Sequence, residues 1–280
     1  MKSTYLTPKE IHILGVQRTG QHAVIAWTIG HFNQVCFKNG FISRKTEGNH
    51  RGLTPPWFYF DTVNRPNFKR EENRDRLIRT NQDAIILGTE FMNAFPKFCI
   101  DLDHEDRMKK KMVEEMRLDA FSKNRYYLGV LRSPWNHLAS VLSWKPRYFL
   151  KRKDRFIRAW LMMAREYIGK TNDLPNPSMV VNFDLWFESK KYRKKISKFI
   201  GAPFSDKGLN VVMPMGRGRV IGSSFDRMAF NGKGNQMKVT ERWREHLDNP
   251  TKFRDFLAKN EELVETARQI FGPFPKELNI

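Results

Sequence analysis

The segment Ile11–Trp27 predicts an apolar strand, a short loop bounded by glycines and the first turns of a helix. Gly15 and Gly20 have the spacing of a phosphate-binding loop, where glycine lets the backbone turn tightly and approach an anion. Residues 19–23 would offer backbone N–H groups at the start of the helix. This unit favours a sheet flanked by helices, with an anion held at the junction of strand and helix.

Two residues after Gly20 restrict which anion the loop suits. Gln21 and His22 stand where an ATP- or GTP-binding loop carries Lys and Ser or Thr. The lysine would hold terminal phosphates and the hydroxyl would hold Mg²⁺, so neither role is filled. A cation lies inside the loop instead, at Arg18. The loop by itself is equally compatible with an ordinary strand-to-helix turn that carries an exposed arginine.

Strand and helix signals alternate along the chain, which predicts an α/β fold with a central parallel β-sheet flanked by helices. The predicted strands are Ile11–Val16, Ala84–Thr89, Tyr126–Leu131 and Met179–Phe183. The predicted helices are Gly20–Phe32, Asp101–Ser122, Asn136–Trp144, Lys153–Lys170, Lys190–Ile200 and Glu261–Phe271. Thr46–Arg79 and Met213–Lys238 are expected to be long loops. Residues 1–280 are interpreted as one domain.

Composition limits the partners and the compartment. Fifty Lys and Arg against thirty Asp and Glu give a net charge of +20, which attracts nucleotides, acidic glycans, nucleic acid or membrane surfaces without choosing among them. Two cysteines do not make a disulfide framework, so a reducing compartment is expected. No apolar run reaches the roughly 20 residues that span a bilayer. These features predict a soluble, cytoplasmic protein; a chain trimmed of an N-terminal anchor is the alternative.

A second strand–loop–helix unit runs from Tyr126 to Trp144. Arg132 follows the apolar strand, and Pro134 is well placed to open the next helix. Ser140 comes two helical turns after Arg132 and could share an anion with it. The alternative is a surface cation followed by an unremarkable helical serine.

Together the two units resemble the sulfotransferases that use 3′-phosphoadenosine 5′-phosphosulfate (PAPS). The family's first motif, of the form P-K-S-G-T-T-W, is similar to V-Q-R-T-G-Q-H at Val16–His22. Its second motif, R-x-P with a serine eight residues after the arginine, is matched by Arg132, Pro134 and Ser140. Val180–Phe204 and Val239–Leu247 resemble later segments of the family in the expected order. The resemblance implies a P-loop-like sulfotransferase fold over most of the chain.

The resemblance also implies roles for individual residues. Arg18 takes the place of the family's lysine beside the transferring group, and Glu90 that of the catalytic base. Arg132 and Ser140 would bind the donor's 3′-phosphate, with help from the late glycine loop, where Lys233 and Lys238 compete for one role. The residues implied to bind the donor are Arg18, Thr19, Gly20, Gln21, His22, Ala23, Arg132, Ser140, Lys233 and Gly234.

Departures from the family pattern leave some contacts open. Ala23 replaces the tryptophan of the first motif, so stacking of adenine on Trp27 or another aromatic residue is expected instead. The seven histidines show no spacing typical of a metal site, and no metal is expected.

The predicted function is transfer of a sulfuryl group from PAPS to an acceptor hydroxyl or amine, an acidic glycan being one candidate acceptor. The product would be adenosine 3′,5′-diphosphate. No dedicated nucleic-acid partner and no membrane span are expected. The alternatives are a phosphate-loop kinase of a small metabolite and a basic polyanion-binding module without catalysis.

Overall fold

A six-stranded sheet forms the centre of the protein. The computed structural model describes residues 7–39, 58–61, 83–91, 122–144, 146–212, 234–247 and 250–280. The strands are β1 (Lys9–Val16), β2 (Gln34–Asn39), β3 (Phe58–Asp61), β4 (Ala84–Phe91), β5 (Asn124–Leu131) and β6 (Ser178–Asn182). Their order in the sheet is β3-β2-β4-β1-β5-β6, and every pair is parallel except β2 with β3. The predicted central parallel sheet is confirmed.

The central strand β1 is buried from Glu10 to Val16 because helices cover both faces of a parallel sheet. Its register fixes the edge at which the predicted loops meet. Gly15 lies opposite Glu90 of β4 on one side and Val130 of β5 on the other. The carboxyl ends of the three central strands therefore share one edge, where ligands bind in folds of this kind.

The helices form one layer on each face of the sheet. They are α1 (Gln21–Ile29), α2 (Pro134–Trp144), α3 (Pro146–Tyr167), α4 (Phe183–Glu188), α5 (Lys190–Phe199), α6 (Pro250–Ala258) and α7 (Glu261–Phe271). Trp160 of α3 and Leu263 of α7 belong to the apolar core on one face. Trp27 of α1 and Trp186 of α4 belong to the core on the other. A 3₁₀ segment at Val239–His246, named here the late 3₁₀ helix, packs against α2.

The structure differs from the sequence prediction in several elements, of which three concern the sheet and its edge. Strand β2 was not expected, because QVCFKN has only three consecutive apolar residues. Strand β3 falls inside Thr46–Arg79, which we predict to be a loop. Phe183 begins α4 rather than ending β6, since the Asn182 side chain caps the helix by accepting from the Leu185 N–H at 3.1 Å.

Two further predictions concern the start of a helix and the segments that lie outside the described residues. Helix α3 begins at Pro146, before the expected start at Lys153. The helix expected at Asp101–Ser122 lies outside the described residues except for its last position, as does most of each predicted long loop.

Candidate functional site

The loop after β1 is a tight turn followed directly by a helix. The Thr19 N–H donates to the Val16 carbonyl at 3.2 Å, and the Thr19 hydroxyl donates to the same oxygen at 2.8 Å. Arg18 has a φ of 74° and Gly20 a φ of 92°, both in the left-handed region. Gly20 is the N-cap of α1, so the helix begins within the loop as the phosphate-loop spacing predicts.

Gly20 is required here for two reasons. Its backbone conformation is one that residues with a Cβ rarely adopt. A Cβ at this position would also lie 2.2 Å from the ring of Phe183, the first residue of α4. Helix α4 therefore packs against the loop, and the phenyl ring of Phe183 fills the space that a side chain at Gly20 would need.

The backbone N–H groups of the loop divide into two sets. Those of Thr19 and Ala23 already donate within the loop, the latter to the Gly20 carbonyl at 2.9 Å. The N–H groups of Gly20 and Gln21 have no acceptor within the part of the chain that the structure describes. They lie at the start of α1, where the helix dipole favours negative charge. Among the donors predicted at Thr19–Ala23, the N–H groups of Gly20 and Gln21 are therefore the ones that we expect to bind an anion.

The side chain of Gln21 points away from any ligand of the loop. Its amide nitrogen donates to the Ile13 carbonyl at 2.5 Å and to the Thr89 carbonyl at 2.8 Å. It is 2% exposed and joins the carboxyl ends of β1 and β4. The residue that replaces the ATP-binding lysine is therefore a structural bridge, and only its backbone N–H is available to an anion.

The structure brings the two sequence motifs together. Arg18 donates from Nε to Oγ of Ser140 at 3.2 Å, and Arg132 donates from Nη1 to the Arg18 carbonyl at 3.3 Å. Arg132 and Ser140 are both almost fully buried. The loop after β1 and the unit that follows β5 are therefore in direct contact.

Arg132 is a buried cation with few anionic neighbours. Its guanidinium lies over the Phe183 ring at 5.3 Å and also donates to the Val239 carbonyl. Burial and, to a smaller extent, the nearby Arg18 lower its pKa to about 10, while Asp184 and Glu245 oppose the change. Its Nε has no hydrogen-bond partner in the described structure. An anion close to this buried guanidinium would stabilise its charged form.

Asp184 supports this arrangement from α4. Its Oδ2 accepts from the backbone N–H of Ser133 at 2.8 Å, next to Arg132 in the chain. Burial raises the pKa of the Asp184 carboxyl, and Arg132 counteracts the rise. The carboxylate thus fixes the turn that follows β5 and partly balances the arginine.

The late 3₁₀ helix adds a third arginine, which the sequence analysis missed. Asn136 of α2 donates to the Thr240 carbonyl at 2.9 Å, and its Oδ1 accepts from the Arg242 N–H at 2.8 Å. Arg242 is 5% exposed. The sequence did contain a signal for Arg242, because this residue stands next to Trp243 in the segment that resembles the family's late helix.

Arg242 belongs electrostatically to the same cluster. Burial, together with Arg132 and Arg18, lowers its pKa to about 9, while Glu245 opposes the change through an ion pair of 2.9 Å. We call Arg18, Arg132 and Arg242 the arginine cluster. Arg18 lowers the pKa of both Arg132 and Arg242, so the three guanidinium groups lie close enough together to complement a multiply charged anion.

Other predicted site residues have different outcomes. The structure describes the backbone of Glu90, beside Gly15 at the carboxyl edge. Lys233 lies outside the described residues. Gly234 is buried, and its N–H donates to the Asn210 carbonyl at 3.1 Å. Lys238 is exposed just before the late 3₁₀ helix.

The expectation that Trp27 stacks on adenine is wrong. Trp27 is 0% exposed, and its indole donates to Oδ1 of Asp206 at 3.0 Å. Its ring meets that of Trp186 edge-on at 6.1 Å. Trp27 faces inward from α1 and is a core residue, so it offers no face to a ligand.

The described residues contain no group of three or more His, Cys, Asp or Glu placed to hold a metal ion. Among their helices, none combines the length and apolar character needed to span a bilayer.

Comparison with known proteins gives a structural likeness. The protein resembles the sulfotransferase domain of the Synechococcus PCC 7002 olefin synthase, with a TM-score of 0.51, 98% of this chain and 99% of that chain covered, and 14% sequence identity. No family model and no curated protein matches the sequence. At this identity the likeness concerns the fold, and the chain therefore has an α/β fold similar to that of a sulfotransferase domain.

Proposed function

We propose that this protein is a sulfotransferase that moves a sulfuryl group from PAPS to an acceptor hydroxyl or amine. The observation that carries the proposal is the arginine cluster, in which Arg18 of the first loop contacts Ser140 and Arg132 of the second unit. The fold provides the context, since a sulfotransferase domain is among the solved structures that it resembles.

The site suits a nucleotide with phosphates at two positions. The N–H groups of Gly20 and Gln21 at the start of α1 are suited to a 5′-phosphosulfate. Arg132 and Arg242 are suited to a 3′-phosphate, because an anion would offset the cost of burying two guanidinium groups. In this proposal Arg242 takes the role that the sequence analysis gave to Lys233 or Lys238.

The reaction needs a base and a cation. Glu90 would accept the proton of the acceptor as its oxygen or nitrogen forms a bond to sulfur. An unperturbed glutamate, with a pKa of about 4.3, is ionised at neutral pH. The bond between sulfur and the bridging 5′-phosphate oxygen breaks, and the negative charge on the departing phosphate would be stabilised by Arg18. The net charge of +20 favours anionic acceptors, of which acidic glycans are one class.

Calorimetric titration of the purified full chain tests the donor assignment. Adenosine 3′,5′-diphosphate should bind at least about tenfold more tightly than adenosine 5′-monophosphate, because the second phosphate meets buried arginines. Separate titrations use ATP with Mg²⁺ and a short oligonucleotide. Tightest binding of ATP with Mg²⁺ would support a kinase instead, and steeply salt-dependent oligonucleotide binding without a preference for the 3′-phosphate would support a polyanion-binding module.

A further inference from the structure

His137 is a fully buried residue of α2 that contacts the first loop. Its Nε2 lies 2.8 Å from the Gln17 carbonyl, and the imidazole is 0% exposed. Since a carbonyl only accepts hydrogen bonds, Nε2 carries the proton and donates it. Burial, together with Arg132 and Arg18, lowers the pKa of His137 to about 3 although the hydrogen bond to Gln17 opposes the change, so the ring is neutral at physiological pH.

The contacted carbonyl belongs to the central peptide of the turn at residues 16–19. The Thr19 N–H closes this turn on the Val16 carbonyl, and Arg18, its third residue, has a φ of 74°. A positive φ at only the third residue is typical of a type II turn, a position that usually holds glycine. A type I turn would give Arg18 an ordinary negative φ, and the two types differ by a flip of the Gln17–Arg18 peptide.

We infer that His137 is a positioning residue, which holds the Gln17–Arg18 peptide in its type II orientation and so aims Arg18 at the anion site. A flip to the relaxed turn would break the hydrogen bond from Nε2 and leave a buried imidazole N–H without an acceptor. The Arg18 carbonyl is held separately by Arg132. Both peptide groups that flank Arg18 are therefore fixed by the second unit.

The consequence for catalysis rests on the proposed function, whereas the consequence for the loop does not. With the peptide flipped, the N–H of Arg18 and the Gln17 carbonyl would exchange directions, because the two groups are antiparallel across a trans peptide. The Cα–Cβ bond of Arg18, from which the guanidinium side chain extends, would change direction with them. Arg18 is the residue placed against the departing phosphate, so the chemical step should be affected more than donor binding.

The experiment compares three variants by crystallography and kinetics. His137→Gln keeps an N–H donor at similar reach, His137→Asn keeps the amide but is one methylene shorter, and His137→Leu removes the donor. In crystals of the Leu and Asn variants the Gln17–Arg18 peptide should be flipped, with a negative φ at Arg18. In the Gln variant the type II turn should persist.

The second measurement is a steady-state assay with PAPS and an acceptor that the wild-type protein sulfates. The kcat of the Leu and Asn variants should fall by about tenfold to a hundredfold with little change in KM for the donor, and the Gln variant should keep most of its activity. If Leu does not fold, the contrast between Asn and Gln gives the same test. A retained type II turn in Asn or Leu crystals, or equal kcat in Asn and Gln, would overturn the inference.

A glycine background separates local strain from other effects. In Arg18→Gly the positive φ costs nothing, so adding His137→Leu should leave the turn as type II in crystals. A flipped peptide in this double variant would show that relief of strain at Arg18 is not the cause, and would contradict the inference. If wild-type protein binds no adenosine 3′,5′-diphosphate, the proposed function fails, while the crystal structures still decide the role of His137.

Discussion

The side chain of Arg18 donates a hydrogen bond to Ser140 at 3.2 Å across 122 residues of sequence. Each residue lies in a loop–helix unit that would be ambiguous alone. Their contact shows that the turn after β1 and the helix after β5 meet at the carboxyl edge of the sheet. Two further arginines lie nearby: Arg132 directly after β5, and Arg242 in the late 3₁₀ helix.

Arg242→Ala should weaken binding of adenosine 3′,5′-diphosphate by about tenfold to a hundredfold, the range expected for losing a charged hydrogen bond. Binding of adenosine 5′-monophosphate should change by less than about threefold, because that ligand lacks the 3′-phosphate. Calorimetry measures both affinities. Arg268→Ala, which removes an exposed arginine of α7, is the matched control and should alter neither. Equal losses for the two ligands would remove Arg242 from the 3′-phosphate site.

Glu90→Gln should lower kcat by about a hundredfold or more, since it removes the proposed base and retains the size of the side chain. Affinity for adenosine 3′,5′-diphosphate should stay within about threefold of wild type, because the base contacts the acceptor rather than the donor. Stopped assays with radiolabelled PAPS measure the first quantity and calorimetry the second. Near-normal turnover would show that another group accepts the proton.

Gly20→Ala should lower the free energy of unfolding by about 2 kcal/mol or more, from backbone strain combined with overlap on the Phe183 ring. Gly169→Ala is the matched control, because Gly169 has a similar φ of 72° but nothing within 4 Å of an added Cβ. It should cost about 1 kcal/mol, the strain alone. Urea unfolding of the three proteins measures the differences. Equal destabilisation in the two variants would mean that Phe183 moves aside without cost.

His137 should make the protein less stable in acid. Burial and two arginines lower its pKa in the folded protein to about 3, whereas the unfolded chain has the ordinary value of 6.5. Between these values only the unfolded chain takes up the proton, so the free energy of unfolding falls as the pH falls, by up to about 1.4 kcal/mol per pH unit from this group. This contribution is fully present above pH 6.5 and absent from His137→Gln.

Urea unfolding at pH 7, 6 and 5 measures this difference. The stability of wild type relative to His137→Gln should decrease at each step toward acid. Parallel pH profiles for the two proteins would show that the folded protein protonates this imidazole as readily as the unfolded chain does.

Much of the fold was predictable from local patterns. The strands β1, β4, β5 and β6 are buried runs that the apolar pattern identifies within two residues at each end. Strand β2 was missed because its apolar stretch is short, and its strand conformation depends on pairing with β3 and β4. The prediction that Arg132 and Ser140 share an anion stays a prediction, although Arg18 contacts both residues.

Residue type and spacing within short segments were enough to predict the alternation of strands and helices, the turns after β1 and β5, and two of the three clustered arginines. Long-range contacts were needed to find that Gln21 bridges β1 and β4, that Trp27 faces the core, and that Arg242 and His137 lie beside the first loop. Each of these depends on which distant segment supplies the neighbouring atom, and spacing along the chain carries no information about that choice. Hydrogen-bond partners and burial, rather than residue type, assign those roles.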